Sequence, residues 1–496
     1  MLYISTRDTS ERKEKVTSEV AVCRGIAPDG GLYVPEYIPT LSADTLRSFI
    51  NMDYPSRAAY ILSLFFDGMA YEELLSMCRT AYSDDRFPGG AAPLVHISGP
   101  MYSLELWHGP TCAFKDMALQ IMPHLFTASL RATGEKRTAY ILVATSGDTG
   151  KAALEGYRDV PGVRIKVFYP TNGVSRVQKL QMMTQEGDNV SVCAIEGNFD
   201  DAQSGVKRIF ADAGINRRLD DKGYFLSSAN SINWGRLAPQ IAYYVSAYCD
   251  LVSAGVISMG DVADICVPTG NFGNILAAYI AKRMGVPIRR LVCASNANNV
   301  LTDFIATGTY DRNRTFYTTM SPSMDILISS NLERLLYFVA GPAETSAYMK
   351  SLAETGRYTV APETLAKIKG DFAGYYVDEP GTAATIKRVY ETSGYLADPH
   401  TAVGIGGADE YLRCQKDGCS APIIVCSTAS PFKFAADVYR SLTGRDPSDE
   451  VSALGELSEL TGKEIPQPLS RTLKLPLRHT RVIPTKDMPD EIFVGL

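Results

Sequence analysis

The sequence lacks the features that would tie a protein to nucleic acid or to a membrane. Its 496 residues carry a formal net charge of -6 at pH 7, and no run of five or more basic residues occurs. No window approaches 18 uncharged apolar residues, the length of a membrane-spanning helix. The N-terminal segment is charged from Arg7 onward and has no apolar core of signal-peptide length. We therefore expect a cytoplasmic protein with no membrane partner and no nucleic-acid partner.

The sequence is also poor in metal-binding and disulfide patterns. It has no Cys-x-x-Cys pair, and its five histidines show no ligand spacing with the cysteines. Most of the ten cysteines stand in apolar runs, which predicts reduced, buried thiols and no structural zinc site. The cysteines are Cys23, Cys78, Cys112, Cys193, Cys249, Cys266, Cys293, Cys414, Cys419 and Cys426.

The length exceeds what one hydrophobic core holds, so we expect two or more domains. The first part of the chain is predicted to be mostly helical, and the Phe-Pro-Gly-Gly sequence that begins at Phe87 indicates a boundary. Its predicted helices are 42–51, 56–66 and 71–82. The predicted divisions are an N-terminal domain (1–95), a catalytic region of two α/β subdomains (96–442) with an insertion at about 296–395, and a C-terminal tail (443–496).

From residue 101 onward, short apolar runs rich in β-branched residues alternate with helical patterns. Uninterrupted apolar strands with helices between them predict an α/β fold of parallel sheets covered on both faces. Such sheets bind ligands beyond the carboxyl ends of their strands. The predicted strands are 139–144, 163–169, 190–195, 224–227, 264–267, 290–294 and 423–426. The predicted helices are 113–133, 150–158, 174–185, 199–213, 234–254, 273–284, 324–338, 343–352, 382–392 and 431–442.

One lysine stands out as a possible nucleophile. Lys115 follows a Gly-Pro turn and has the apolar neighbours Phe114 and Met117. Thr111 is predicted to be a helix N-cap, which would bring the positive end of a helix close to Lys115. Burial among apolar groups and a helix N-terminus both disfavour the ammonium form, so they favour the neutral amine that attacks a carbonyl. By itself the pattern is also typical of an ordinary surface lysine.

Two strand ends have the composition of anion-binding loops. Residues 144–151 read Ala-Thr-Ser-Gly-Asp-Thr-Gly-Lys, where small residues and hydroxyls open a predicted helix and backbone N–H groups converge. Residues 269–274 read Thr-Gly-Asn-Phe-Gly-Asn, and the two glycines let the backbone approach a small anion closely. Either segment alone would also fit a capped helix without a ligand.

Two further strand ends carry polar groups. Residues 227–236 offer two amides, three hydroxyls and Arg236, a set that suits a phosphate or carboxylate. Residues 427–434 place hydroxyls at a strand end, followed by Pro431 at the start of a helix. One candidate amine nucleophile and several anion-binding loops at strand ends together suit pyridoxal phosphate, which needs an amine for its carbonyl and a cradle for its phosphate.

These segments carry a resemblance to a known family. The chain resembles threonine synthases, in the longer branch that has an extra N-terminal domain, and the segments occur in the family's order. They are GIAPDGGLYVPE (25–36), HGPTCAFKD (108–116), ATSGDTGKAA (144–153), SANSINWGR (228–236), PTGNFGN (268–274) and STASPFKF (427–434).

The resemblance implies a fold-type II pyridoxal-phosphate enzyme, similar to the tryptophan synthase β subunit, with two parallel-sheet domains and a mostly helical N-terminal domain. It implies conversion of O-phospho-L-homoserine and water to L-threonine and phosphate, with no obligate protein partner evident. Lys115 matches the Schiff-base lysine, which also serves as the base at Cα. Thr428 matches the hydroxyl at the pyridine nitrogen. The cofactor-phosphate loop matches Gly270, Asn271, Phe272, Gly273 and Asn274, and the substrate-phosphate group matches Ser146, Thr149, Asn230, Ser231 and Arg236.

Two positions depart from the family pattern. Ser430 stands where the family usually has histidine, which puts a proton-shuttle role there in doubt. Lys151 stands where a small residue is usual, and we expect its side chain to point to solvent.

Two other functions fit parts of the sequence. One is a different enzyme on the same fold, such as a serine/threonine dehydratase or another phospholyase, which its products would identify. The other is a catalytically silent relative that binds or regulates, and the intact Lys115 and glycine loop argue against it.

Overall fold

The computed structural model describes residues 1–415 and 421–496, and these form 16 strands and 22 α-helices. The strands are β1 (Leu2–Ser5), β2 (Val16–Thr17), β3 (Tyr33–Pro35), β4 (Leu94–Ser98), β5 (Met101–Glu105), β6 (Thr138–Ala144), β7 (Val163–Pro170), β8 (Val190–Glu196), β9 (Tyr224–Ser227), β10 (Ala263–Pro268), β11 (Ile288–Ser295), β12 (Thr309–Asp311), β13 (Arg357–Thr359), β14 (Phe372–Tyr376), β15 (Ile423–Ser427) and β16 (Val482–Pro484).

The helices connect and cover these strands. They are α1 (Ser18–Arg24), α2 (Ala43–Phe49), α3 (Tyr54–Ser63), α4 (Tyr71–Ala81), α5 (Asp116–Leu119), α6 (Met122–Thr133), α7 (Asp148–Tyr157), α8 (Arg176–Met183), α9 (Phe199–Ala211), α10 (Ala213–Asp220), α11 (Trp234–Ser253), α12 (Gly273–Arg283), α13 (Val300–Thr307), α14 (Leu332–Ala340), α15 (Pro342–Thr355), α16 (Pro362–Asp371), α17 (Glu379–Ser393), α18 (Pro399–Cys414), α19 (Ala435–Thr443), α20 (Ser452–Thr461), α21 (Gln467–Thr472) and α22 (Met488–Glu491).

Two sheets form the frame of the molecule. One has five strands in the order β16-β8-β7-β6-β9, all parallel, and the other has six in the order β14-β11-β10-β15-β5-β4, parallel except for β4. All six residues of β10 are buried, as expected for a strand covered on both faces. The predicted α/β fold with two parallel sheets is confirmed, and the seven predicted strands occur with their ends shifted by at most two residues.

The N-terminal segment combines helices with a small sheet. The predicted helices occur as α2, α3 and α4, and the first two begin at side-chain caps, where Ser42 and Asp53 accept from backbone N–H groups at 3.0 and 2.9 Å. Residues 25–36 read as a turn-rich entry into a short strand, and β3 occurs there; the helix α1 and the strands β1 and β2, which join β3 in a small antiparallel sheet, were not predicted, because these two strands have only four and two residues.

The predicted continuous helix over 113–133 is wrong at its start. The chain is extended around Ala113, which forms a β-bridge with Ala429, and Phe114 N donates to Thr428 O at 2.8 Å. The helical segment therefore begins only with α5 and continues in α6. The predicted N-cap at Thr111 is also wrong, because its hydroxyl donates to Asp116 Oδ1 at 2.8 Å.

The region 296–395 is built into the second sheet through β14, which pairs in parallel with β11 and was not predicted. The predicted helix over 324–338 begins only at Leu332. The residues before it pack on the loop after β10 instead: Ser329 Oγ donates to Gly270 O at 2.7 Å, and Asn331 N donates to Asn271 O at 3.0 Å.

The tail crosses to the first sheet, where β16 pairs with β8. The Lys166 ammonium on β7 lies 3.0 Å from the Glu491 carboxylate of α22, and both side chains are buried. This ion pair and the strand pairing fasten the end of the chain to the five-stranded sheet.

Nine cysteines are free thiols; seven of them are buried, Cys23 is half-buried, and Cys414 is exposed, so the prediction of burial is wrong for Cys414. Cys419 lies outside the described residues. Within 1–415 and 421–496, no group of three or more potential ligand side chains could hold a metal ion, and no helix combines the length and apolarity needed to cross a bilayer.

Candidate active site

Lys115 lies in the position just before α5 and is almost fully buried, with 8% of its surface exposed. Its Nζ stands 4.6 Å from the centre of the Phe114 ring, so the predicted apolar neighbour is in contact. The amine donates to Ser323 Oγ at 3.4 Å and lies 3.7 Å from Asp148 Oδ2. The amine is therefore enclosed but only loosely paired.

Burial is the largest influence on the pKa of Lys115, and it lowers that pKa. The Asp148 carboxylate opposes this shift, while the positive charges of Lys433 and Arg236 add to it. The net direction favours the neutral amine, as the sequence predicted, but the cause differs in part. Because α5 has only four residues, burial and neighbouring charges are the relevant causes, rather than the end of a long helix.

Asp148 is the centre of a buried charge network that sequence reasoning missed. Its carboxylate lies 2.7 Å from Lys433 Nζ and accepts from Gln178 Nε2 at 2.8 Å. Although burial acts to raise its pKa, the ammonium groups of Lys433 and Lys115 hold the pKa of Asp148 well below its usual range. The sequence feature that could have identified Asp148 is its position in the Ser-Gly-Asp-Thr-Gly segment.

The loop between β6 and α7 is shaped by a hydroxyl. Thr145 Oγ1 accepts from the N–H groups of Gly147 and Gly150, both at 2.9 Å. Gly147 has φ 141°, and a Cβ there would lie 2.5 Å from Gln178, so a glycine is required. The candidate residues are both half-buried: Ser146 lies on this loop, and Thr149 lies in the first turn of α7, next to Asp148.

The loop after β9 brings Arg236 toward Lys115. The guanidinium is 3% exposed and donates through Nη1 to Ala229 O, while its Nε is buried without a hydrogen-bond partner. Burial lowers the pKa of Arg236 to about 10. A buried guanidinium N–H without a partner is a donor available to an anionic ligand. The candidate residues Asn230 and Ser231 are half-buried on the same loop.

The glycine loop after β10 leads directly into α12. Phe272 has φ 61°, in the left-handed region, and a Cβ on Gly270 would lie only 2.7 Å from Ser323 O. At the start of α12, Asn274 Oδ1 accepts from the Tyr243 hydroxyl, while its Nδ2 is buried without a partner. Ser231 comes close to this loop, because a Cβ on Gly273 would lie 3.9 Å from Ser231 Cβ.

Thr428 follows β15 and lies beside the lysine segment. Its carbonyl accepts from Phe114 N at 2.8 Å, and its N–H donates to Thr401 Oγ1 at 3.3 Å. The backbone thus fixes Thr428 next to the residue that precedes Lys115. The strand-end loops that the sequence singled out therefore converge on the lysine.

The two departures from the family pattern have structural explanations. Ser430 is fully buried, its N–H donates to Cys112 O at 3.0 Å, and its hydroxyl accepts from Phe432 N at 3.4 Å, so it serves the backbone turn. The prediction that Lys151 points to solvent is wrong. Lys151 is 9% exposed and lies 3.1 Å from Glu155, one turn along α7.

Ser323 and His400 also belong to the site, and sequence reasoning missed both. Ser323 Oγ donates to Asp148 Oδ2 at 3.4 Å, and Ser323 N donates to His400 Nε2 at 3.1 Å. His400 Nδ1 lies 2.7 Å from Asp398 Oδ2. The sequence Asp-Pro-His-Thr, a cap residue followed by proline, was a signal for a helix start there.

The residues present fit pyridoxal phosphate. The Asn274 Nδ2 is an orphaned buried donor in the first turn of α12, and the backbone at Gly270 packs so closely against Ser323 O that only glycine fits there. Lys115 supplies a buried amine of lowered pKa. The Arg236 donor is a second anion-binding group, on a different loop.

Comparison with known proteins agrees with this geometry. The protein-family model "Pyridoxal-phosphate dependent enzyme" matches residues 90–427, and the model "Threonine synthase N terminus" matches residues 2–82. A human protein named threonine synthase-like 1 is 42% identical over 469 residues, which is 91% of this chain and 62% of the human protein. The chain thus spans about three fifths of that relative.

Other relatives match along nearly their whole length. The threonine synthase of Pseudomonas aeruginosa is 38% identical over 454 residues, covering 90% of this chain and 92% of the bacterial one. Among solved structures, the threonine synthase of Brucella melitensis with bound pyridoxal phosphate superposes with a TM-score of 0.86 at 35% identity, covering 99% of this chain and 98% of that chain.

Proposed function

Because this chain belongs to the threonine synthase family of pyridoxal-phosphate-dependent enzymes, we propose that it converts O-phospho-L-homoserine and water to L-threonine and phosphate. The family places it among the fold-type II enzymes and makes it a pyridoxal-phosphate-dependent lyase. The observation that carries the proposed reaction is the combination of a buried, loosely paired lysine with two separate groups of anion donors. The reaction needs both, since cofactor and substrate each bring a phosphate.

We assign the cofactor phosphate to the loop of Gly270, Asn271, Phe272, Gly273 and Asn274. The support is Asn274 Nδ2, which is buried without a hydrogen-bond partner at the start of α12. We assign Thr428 to the pyridine nitrogen, because it lies beside the lysine segment and carries a neutral hydroxyl. A neutral partner leaves that nitrogen unprotonated, which weakens electron withdrawal by the ring.

We assign the substrate phosphate to a second group on two loops. Arg236 is its main charged donor, since its guanidinium is buried and its Nε has no partner. The hydroxyls and amide of four half-buried residues complete the group: Ser146, Thr149, Asn230 and Ser231.

When bound, pyridoxal phosphate supplies a carbonyl carbon that condenses with amines and a ring that withdraws electrons from Cα. Lys115 Nζ holds the cofactor until the substrate amine replaces it, and it then accepts the proton from Cα. Burial, which lowers the pKa of Lys115, makes a neutral amine available for both steps. The residues around Lys115 leave only 8% of it exposed, which limits the access of water to the amine.

The direct test is the product spectrum of the purified protein. We expect a yellow protein that releases phosphate and threonine in equal amounts from O-phospho-L-homoserine. Ammonia and a keto acid from serine or threonine would instead identify a dehydratase. Phosphate release without threonine would identify a different phospholyase, and a colourless protein that acts on neither would contradict enzymatic function.

We also propose a cytoplasmic location, a small-molecule substrate as the ligand and no obligate protein partner. The division into 1–95, 96–442 with its insertion, and 443–496 stays a prediction.

A further inference from the structure

The pair His400 and Asp398 lies at the start of α18, outside the loops predicted from the sequence. His400 is 2% exposed and Asp398 is fully buried. A backbone N–H can only donate, so His400 Nε2, which faces Ser323 N at 3.1 Å, must carry the lone pair. The proton then sits on Nδ1 and points to Asp398 Oδ2 at 2.7 Å. The two neighbours together fix one neutral tautomer.

Ser323 connects this pair to the lysine. It lies in a single 3₁₀ turn, and its Oγ is 3.4 Å from Lys115 Nζ and 3.4 Å from Asp148 Oδ2. On the other side, Ser323 O lies 2.7 Å from where a Cβ on Gly270 would be. The turn is thus wedged between the lysine and the glycine loop, and it covers the amine.

We propose that His400, oriented by Asp398, is a positioning residue that holds Ser323 against the Lys115 amine and keeps water out. His400 acts through a backbone N–H, because its Nε2 faces Ser323 N rather than the amine. The proposal gives the region 296–395 a role at the site, as the wall that covers the lysine. It rests on the proposed role of Lys115 in binding pyridoxal phosphate.

The physical consequence concerns hydration of the amine. Burial is the main reason for the lowered pKa of Lys115, so loosening the turn lets water in and raises that pKa. The charged groups that face Lys115 are Asp148, Lys433 and Arg236. Those that face His400 are Asp398, Asp325 and Asp437, and burial raises the pKa of the last two.

The test compares two amide substitutions at one position. In His400→Gln, the amide oxygen reaches the position of Nε2 and can accept from Ser323 N. In His400→Asn, the shorter side chain reaches only Nδ1, so the contact with Asp398 remains and the acceptor for Ser323 is lost. Pyridoxal phosphate is added to the cofactor-free protein, and the visible absorbance is followed across pH without any substrate.

We expect His400→Asn to raise the pH midpoint of cofactor association by about half to one unit and to slow association at neutral pH several-fold, roughly the effect of a partly hydrated amine. His400→Gln should stay near the wild-type midpoint. The matched control is His124→Asn on α6, outside the site, which should leave the midpoint unchanged. Equal midpoints for the Asn and Gln variants at position 400 would overturn the proposal, even if both lose thermal stability.

A double-mutant cycle tests whether His400 affects Lys115 through Ser323. Ser323→Ala keeps the backbone N–H and removes the hydroxyl, and it should shift the midpoint in the same direction as His400→Asn. If His400 acts through Ser323, the double variant shifts less than the sum of the single shifts. Strict additivity of the two single shifts would overturn the route through Ser323. A wild type that binds the cofactor but makes no threonine would contradict the proposed reaction and leave this result interpretable.

Discussion

Lys115 and Lys166 are both buried lysines, and burial lowers the pKa of each, yet their surroundings differ. Lys166 is fully buried and pairs at 3.0 Å with Glu491, whose other oxygen binds Arg481 at 2.7 Å. The Lys115 amine instead lies 3.4 Å from Ser323 Oγ and 3.7 Å from the Asp148 carboxylate. Burial alone therefore does not make a lysine a nucleophile. A close carboxylate holds the ammonium form in place, whereas a loosely paired amine can lose its proton and bind a new partner.

The two regions also differ in what lies around the lysine. Lys166 sits between β7 and α22, where it fastens the tail to a sheet. Lys115 sits where segments from both sheets meet, and the unpaired donors of Arg236 and Asn274 lie in the first turns of α11 and α12, which follow the loops after β9 and β10. The first region is complete without a ligand, and the second offers groups that only a ligand would satisfy.

Replacing Lys115 should have the largest effect. Lys115→Ala removes the amine, so we expect loss of the cofactor absorbance and a fall in the turnover number of about 10²–10⁴-fold or more. Spectra and a phosphate-release assay measure both. The control is Lys136→Ala at an exposed position. A Lys115→Ala protein that keeps both colour and activity would contradict the claim that Lys115, unlike Lys166, binds the cofactor.

Replacing Lys166 should affect folding instead. Lys166→Met leaves Glu491 buried with only Arg481 as a partner, so the free energy of unfolding should fall by about 3 kcal/mol. Chemical denaturation gives the value, and the folded fraction should keep its cofactor absorbance and rate constant. Loss of colour in fully folded protein would mean that the tail region reaches the active site.

Arg236→Ala should weaken binding of the substrate phosphate much more than binding of the cofactor phosphate. Charge-assisted hydrogen bonds contribute about 1.5–3 kcal/mol, so the KM for O-phospho-L-homoserine should rise roughly 10–100-fold, while the cofactor dissociation constant changes far less. Loss of this charge also raises the pKa of Lys115, so cofactor association should need a higher pH. Equal weakening of cofactor and substrate would contradict the assignment of Arg236 to the substrate phosphate.

Lys151 offers a smaller, pH-dependent test. Although burial acts to raise the pKa of Glu155, the neighbouring Lys151 and Arg158 hold it at about 2, below the ordinary 4.5. A lowered carboxyl pKa adds stability above pH 4.5 that is lost as the pH falls toward 2. Lys151→Met should therefore lower the free energy of unfolding at pH 7 by about 1–2 kcal/mol, and the difference from wild type should shrink across that window. A difference that stays constant from pH 7 to pH 3 would contradict this.

Sequence patterns predicted many of the strands and helices, because the residues that determine them are close together in the chain. The strand β10 is an uninterrupted apolar run, and helices such as α2 begin at capping residues. The break before α5 could not be predicted, because it results from pairing with Ala429, more than 300 residues away in the chain. The strand β14 was missed in a stretch that is richer in polar residues.

The residues of the candidate site also differ in whether their local sequence predicts them. The loops that carry Gly270 and Arg236 have recognisable compositions and follow apolar strands. Ser323 has no such signal, since it reaches Lys115 across 208 positions of the chain and contacts His400 through its backbone. The burial of Lys151 depends on its pairing with Glu155 and Gln185, which its local sequence does not reveal.

The central claim is that Lys115 alone among the buried lysines binds the cofactor. Its most direct test is to add pyridoxal phosphate, reduce with borohydride so that the cofactor stays on its lysine, and map the labelled peptide by mass spectrometry. We predict that the label lies on the peptide that contains Lys115. A label on Lys166, Lys433 or Lys151, with the Lys115 peptide unmodified, would contradict the account.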